Sequence, residues 1–136
     1  MRVFLDTNVI VGAVATRGLC ADVMREVLAR HELIVSQALL EEISAVLAEK
    51  IGVPPALISD VISMLRDAGG MAVPAGSAWL PVRDQADKVL ISAALDGKAA
   101  VFVTGDAELL AGHEIGAMAI VSPRAFWELV KTSFKK

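Results

Sequence analysis

Short apolar runs recur along this chain and are separated by longer stretches with helical periodicity. Four runs have no polar alternation, and they cover residues 3–5, 33–35, 100–103 and 118–121. Runs of this kind are typical of strands that are covered on both faces, as in a parallel sheet. A further short strand is predicted at residues 71–73. The pattern therefore predicts a central sheet whose strands are mainly parallel.

Apolar residues recur at helical spacing between these runs. The spacing predicts helices over residues 8–15, 21–30, 37–50, 56–68 and 87–96, a short helix through Leu109 and Leu110, and a terminal helix that begins at Ser122-Pro123. Residues 74–81, including Trp79, are predicted to be irregular, and the tail from residue 131 is predicted to fray. The alternation of strands and helices predicts an α/β fold, a three-layer α/β/α sandwich formed by residues 1–136 as one domain.

The composition of the chain restricts which partners this protein can have and in which compartment it can act. Hydrophobic residues make up 55% of the chain, which suggests that a second copy or another protein covers part of its surface. The net charge of −3 argues against a general nucleic-acid binder. The single cysteine, Cys20, excludes an internal disulfide and indicates a reducing compartment. No apolar run is long enough to span a membrane, so we expect a soluble cytoplasmic protein.

Four acidic residues occupy positions that suggest a shared site. Asp6 and Asp106 each follow an apolar strand, and ligands of parallel α/β sheets bind outside the carboxyl ends of the strands. Asp87 and Glu42 lie at helical spacing from buried positions of their own helices. Carboxylates gathered in one place repel each other, and Mg²⁺ or Mn²⁺ would relieve that repulsion. Helix capping also explains Asp6, and the helix dipole explains Asp87 and Asp106. Glu42 could be an ordinary helix residue, so both interpretations remain open.

Several segments, taken together, resemble the PIN domain family, and within it the VapC-like toxin components of toxin–antitoxin systems. They follow each other in the family's order over nearly the whole chain. The segments are Val3-Phe4-Leu5-Asp6-Thr7-Asn8-Val9, Ser36-Gln37-Ala38-Leu39-Leu40-Glu41-Glu42-Ile43, Asp87-Lys88-Val89-Leu90 with Ala93-Ala94, Val103-Thr104-Gly105-Asp106 with Leu109-Leu110, and Ile120-Val121-Ser122-Pro123-Arg124-Ala125-Phe126.

This resemblance implies an endoribonuclease that cleaves single-stranded RNA with Mg²⁺ or Mn²⁺, pairs with an antitoxin protein and forms a homodimer. The family's acidic residues fall on Asp6, Glu42, Asp87 and Asp106, with Asn8 and Thr104 as their polar companions. We expect Asp6 and Asp106 to contact the metal directly, and Glu42 and Asp87 to position waters or a second metal.

One segment departs from the family pattern. Relatives carry Arg-Asp-Pro and a denser acidic run before the third acid, whereas this chain has Arg83-Asp84-Gln85-Ala86-Asp87. Asp84 is therefore an alternative to Asp87 as the third acid. A PIN-like module that only binds other proteins is the alternative function. A Rossmann nucleotide site is excluded, because no glycine-rich loop follows the first strand.

Overall fold

The structure of the protein is a computed structural model that describes residues 1–73, 80 and 82–134, with side chains described up to residue 132. Strands and helices alternate along the chain. Its elements are β1 (Arg2–Leu5), α1 (Thr7–Ala15), α2 (Leu19–Arg30), β2 (Glu32–Ser36), α3 (Gln37–Val46) continued by a π-helical turn (Leu47–Ile51), α4 (Pro55–Ala68), β3 (Gly70–Ala72), α5 (Gln85–Asp96), β4 (Val101–Val103), α6 (Ala107–Ala111), β5 (Glu114–Ile115), β6 (Met118–Val121) and α7 (Pro123–Phe134). Each of the predicted strands and helices is found within a few residues of its expected position.

The strands form one sheet in the order β3-β2-β1-β4-β6-β5. Neighbouring strands are parallel except for β5, which pairs antiparallel with β6. Helices flank this sheet, which confirms the predicted α/β class and its mainly parallel sheet.

The connections reverse direction between β1 and β4. From β1 the chain moves to β2 and then β3 on one side, and from β4 it moves to β6 on the other side. Because such crossovers are right-handed, α5 is placed on the face of the sheet opposite to α1–α4. The crevice outside the carboxyl ends of β1 and β4 is thus a topological switch point, where α/β folds bind their ligands.

The core is formed by the central strands and by the inner faces of the helices. Phe4 of β1 and Phe102 of β4 are register partners, and their rings stack with centroids 5.2 Å apart. At the end of α5 the helix approaches β2 so closely that a Cβ atom at Gly97 would lie 2.6 Å from Cγ2 of Ile34. These contacts fix β1, β4 and α5, the elements that border the switch point.

Several details differ from the sequence-based expectation. The last turn of the predicted helix over residues 37–50 is π-helical, and β5 was not predicted. Helix α7 continues to residue 134, so the prediction of a frayed tail is wrong for residues 131–134. Residues 74–79 and 81, including Trp79, lie outside the described residues, as do residues 135–136. None of the helices in the described parts of the chain is long and apolar enough to cross a membrane.

Candidate active site

The ends of β1 and β4 deliver polar side chains side by side. The backbone N–H of Asp6 donates to the carbonyl oxygen of Val103 (2.9 Å), so the two strands remain paired up to their last residues. Thr104 directly follows β4, and its hydroxyl donates to Oδ2 of Asp6 at 2.7 Å. The backbone therefore brings residues that are 98 positions apart in sequence into contact at the switch point.

Asp6 is held firmly in this crevice. The residue is only 7% exposed, and its Oδ1 accepts the N–H of Thr7 at 2.8 Å, which caps α1. With Thr104 bound to Oδ2, both carboxylate oxygens are oriented by the protein. The helix-cap interpretation of Asp6 is thus correct, and it is compatible with a ligand site because each carboxylate oxygen retains a second lone pair.

Asp106 joins the same hydrogen-bonded chain. Its backbone N–H donates to the hydroxyl of Thr104 at 3.1 Å, and the same hydroxyl donates to Asp6. Oδ1 of Asp106 caps the short helix α6 by accepting the N–H of Glu108 at 2.8 Å. Asp106 is exposed, so its carboxylate borders solvent at the rim of the crevice.

The two candidates for the third acid occupy different environments. Asp84 is exposed and caps α5, because its Oδ1 accepts the N–H of Asp87 at 3.0 Å. Asp87 lies in the first turn of α5 and is half-buried. The capping of α5 accounts for Asp84, whereas no capping bond accounts for the side chain of Asp87.

The electrostatics show that the predicted acids converge on Asp87. Burial is the largest cause that raises the pKa of Asp87 to about 6. The negative charges of Asp84, Asp6, Asp106 and Glu42 raise it further, in that order. Because such interactions weaken with distance, each of these carboxylates must lie within electrostatic range of Asp87.

Asp6 is shifted in the same direction. Burial raises its pKa, the hydrogen bonds from Thr104 and Thr7 lower it, and the charge of Asp106 raises it again. The effect of burial on the pKa exceeds that of the hydrogen bonds, so the pKa of Asp6 stays raised. A positively charged partner would therefore stabilise the ionised carboxylate.

The predicted companions of the acids differ in their surroundings. Thr104 is fully buried and bonded to Asp6, as described above. Asn8 is exposed on α1, and its side chain makes no hydrogen bond within the described residues. The sequence places the hydroxyl of Thr7 beside Asp6, at the position expected for an oxygen ligand of Mg²⁺ or Mn²⁺. In the structure this hydroxyl is buried without a hydrogen-bond partner among the described residues.

The donor chemistry of this crevice suits a hard divalent cation. Carboxylate and hydroxyl oxygens face each other, and the orphaned hydroxyl of Thr7 lies directly beside Asp6 in the chain. No three of the described Asp, Glu, His or Cys residues stand close enough to hold a metal ion by themselves. Mg²⁺ is commonly bound through one or two carboxylates and several waters, so the residues present fit it.

The basic residues near the crevice are not equivalent. Arg83 pairs with Glu108 at 3.0 Å and is largely exposed. Lys88 follows Asp87 in α5, is half-buried and has no ion pair within the described part of the chain. Of these two cations, Lys88 is therefore the one whose charge is not paired with a described residue.

Comparison with known proteins bears on the fold and family of this chain. A family model described as PIN domain matches residues 2–108. The crystal structure of VapBC2 from Rickettsia felis bound to a DNA fragment from their promoter contains a similar chain, with a TM-score of 0.64 and 13% identity over 90% of this chain and 98% of that one. The structure of VapBC-1 from nontypeable Haemophilus influenzae contains another, with a TM-score of 0.62 and 17% identity over 91% of this chain and 99% of that one. No curated protein matches the sequence.

Proposed function

Because this chain belongs to the PIN domain family, we propose that it is a metal-dependent endoribonuclease that cleaves single-stranded RNA and acts as the toxin of a toxin–antitoxin pair. The observation that carries the proposal is the hydrogen-bonded chain of Asp6, Thr104 and Asp106 at the switch point, with Asp87 within electrostatic range of both acids. The VapBC complexes that share its fold support the toxin–antitoxin setting. The lone, free Cys20 is consistent with action in the cytoplasm.

Mg²⁺ or Mn²⁺ in such a site provides activated water at neutral pH and stabilises the charge that develops on the phosphate. We assign Asp6 and Asp106 as the residues that hold the cation. Thr104 orients Asp6 through its 2.7 Å hydrogen bond. Glu42 and Asp87 would orient the water, and Lys88 would contact the RNA backbone. Because the net charge of the chain is −3, local contacts rather than a global field must attract the RNA.

An RNA cleavage assay tests this proposal. Wild-type protein should cut single-stranded RNA in Mg²⁺ or Mn²⁺ and stop when EDTA is added. Asp6→Asn should lose cleavage by roughly a hundredfold or more, since it weakens the binding of the cation that stabilises the transition state. Asp60→Asn is a matched control, because Asp60 is exposed on α4, away from the switch point. Equal inactivity of wild type and Asp6→Asn on a broad RNA panel would favour the alternative, a PIN-like module that only binds proteins.

We also propose that a protein partner covers the outer side of α4. Val61, Met64 and Leu65 of α4 line an apolar cavity of about 170 Å³ together with residues of α1 and α2. Met64 and Leu57 of the same helix are about half exposed. Exposed apolar side chains beside such a cavity are typical of a protein–protein interface. An antitoxin segment is the occupant we propose, and a homodimer is also expected from the apolar composition.

Association is measured by light scattering over a concentration series. A dimer at micromolar concentration is expected for the isolated chain. Met64→Glu should leave that dimer unchanged and weaken binding of the protein encoded beside this chain, if that protein is its antitoxin. Unchanged binding in Met64→Glu would remove α4 from the partner interface.

A further inference from the structure

A second cavity lies beside the acid cluster and shares Asp87 with it. It has a volume of about 150 Å³ and is enclosed by the start of α5, by α6 and by the β5–β6 hairpin. Its floor is apolar, because Leu109, Ile115 and Ile120 are each almost fully buried. Its rim carries carboxylates, and the described residues that line it are Val82, Asp84, Asp87, Glu108, Leu109, Gly112, Glu114, Ile115 and Ile120.

The size of the cavity limits the part of a ligand that it can enclose. An apolar protein cavity of roughly 150 Å³ can hold a single aromatic ring, such as the six-membered ring of a larger aromatic group. Sites for drug-sized ligands enclose about 300–1,000 Å³, well above this value. A flat aromatic group with one polar edge fits both the apolar floor and the polar rim.

Among the described residues of the rim, the ionisable side chains offer acceptors only. Asp84 already accepts the N–H of Asp87, and Glu108 is paired with Arg83. Glu114 is exposed, and its side chain makes no hydrogen bond or ion pair to the described residues, so both of its carboxylate oxygens are available. The hydrogen-bonding edge that enters this cavity must therefore carry adjacent donors.

Among the RNA bases, guanine has such an edge. Its N1–H and N2–H₂ groups lie side by side and can donate to the two oxygens of one carboxylate. Adenine and cytosine place a ring acceptor beside their amino group, and uracil places its N3–H between two carbonyls, so a carboxylate would repel part of each edge. Splayed-out bases of single-stranded RNA are commonly read by their Watson–Crick edges in this way.

We propose that this cavity is a guanine subsite, in which Glu114 reads the Watson–Crick edge of a guanine next to the cleaved bond. The inference rests on the proposed nuclease function, because a base next to the scissile phosphate reaches this cavity through the shared wall at Asp87. Glu114 is then a specificity residue, distinct from the carboxylates that hold the cation.

Cleavage of short RNAs that differ in one nucleotide tests this proposal. In an otherwise uniform strand, a single guanine should raise kcat/KM at the neighbouring bond by about ten- to hundredfold over adenine or uracil. Inosine, which lacks the N2 amino group, should give an intermediate value. Glu114→Gln should bring the guanine-to-adenine ratio of kcat/KM close to one. Glu49→Gln is the matched control, because Glu49 is exposed on the π-helical turn, and it should keep the wild-type ratio.

A binding experiment separates this inference from the nuclease proposal. In EDTA, ligand-detected NMR should show GMP binding more tightly than IMP or AMP, and Glu114→Gln should remove the difference. Absence of all cleavage with selective GMP binding would reject the nuclease and keep the guanine subsite. Cleavage without a guanine preference, or a preference that survives Glu114→Gln, would overturn the subsite alone. Binding of an arginine-containing peptide, but not GMP, through Glu114 would assign the cavity to a protein partner instead.

Discussion

At the scale of single residues, the site depends on how each carboxylate is constrained. Asp6 has both oxygens fixed by hydrogen bonds from Thr7 and Thr104, whereas Asp87 is held by its helix alone. Asp84 lies in the preceding turn and serves the helix as a cap. The roles of Asp84 and Asp87 are therefore separable by substitution.

Asp84→Ala should mainly affect stability. Loss of a helix N-cap costs about 1 kcal/mol, or a few degrees of Tm for a chain of this size. Asp84→Asn keeps an oxygen acceptor and should retain the wild-type Tm. Asp87→Asn should instead abolish RNA cleavage with little loss of stability. Thermal melts and cleavage rates, measured on the same three variants, show which of the two residues is the third acid. Cleavage that survives in Asp87→Asn but not in Asp84→Asn would assign that role to Asp84.

The raised pKa of Asp87 should make its effect on stability depend on pH. Its pKa is about 6 in the folded protein, against the ordinary value of 3.8 for an aspartate, so the folded state takes up the proton more readily than the unfolded state. The charged carboxylate therefore destabilises the fold above pH 6, and this penalty disappears as the pH falls towards 4.

Without divalent cations, the Tm of Asp87→Asn should exceed that of wild type above pH 6. The difference should shrink to zero near pH 4. Melting curves between pH 4 and 8 measure it. A difference that does not change with pH would show that Asp87 is not crowded by the other acids.

At the scale of elements, α4 is attached more loosely than the other long helices. Leu65 is its one fully buried residue, although the structure describes all 14 residues of the helix. Val61 and Ile62 are half-buried, and Leu57 is 54% exposed. The docking of α4 onto the core therefore depends strongly on one side chain, while its outer side remains open to a partner.

Leu65→Ala should lower the free energy of unfolding by about 2–5 kcal/mol, because it removes buried methyl groups and leaves a cavity. Leu57→Ala changes the same residue type in the same helix at an exposed position, and it should cost less than about 0.5 kcal/mol. Chemical denaturation measures both values. Equal costs would mean that α4 is docked differently from the arrangement described above.

At the scale of the whole molecule, metal binding and folding are coupled through the acid cluster. Its carboxylates come from β1, α3, α5 and the end of β4, which are distant in sequence and meet only in the folded chain. A ligand that binds only the folded state stabilises it by mass action.

Mg²⁺ or Mn²⁺ should therefore raise the Tm of wild type. At a hundred times Kd the gain is about 2.7 kcal/mol, which corresponds to several degrees. Asp6→Asn should show a much smaller shift, and NaCl at matched ionic strength controls for general screening. A Tm that rises equally in NaCl and MgCl₂ would argue against a shared metal site.

The sequence by itself determined most of the elements of this protein and pointed to the candidate acids of its site. Apolar runs such as residues 33–35 and 101–103 predict buried strands because strand and helix patterns depend on neighbours a few positions apart. The resemblance to the PIN domain family then picked out Asp6 and Asp106, and the family assignment is confirmed over residues 2–108.

Only the tertiary structure decided what these residues do to each other. The hydrogen bond from Thr104 to Asp6 links two segments that are distant in sequence. The acids that raise the pKa of Asp87 also come from distant segments, and no local pattern connects them. Strand β5 was not predicted, because two residues are too few for an alternating pattern. Both of its residues, Glu114 and Ile115, line the cavity next to the acid cluster. Burial and charge at a point in space are set by the packing of several elements, and sequence distance carries no information about them.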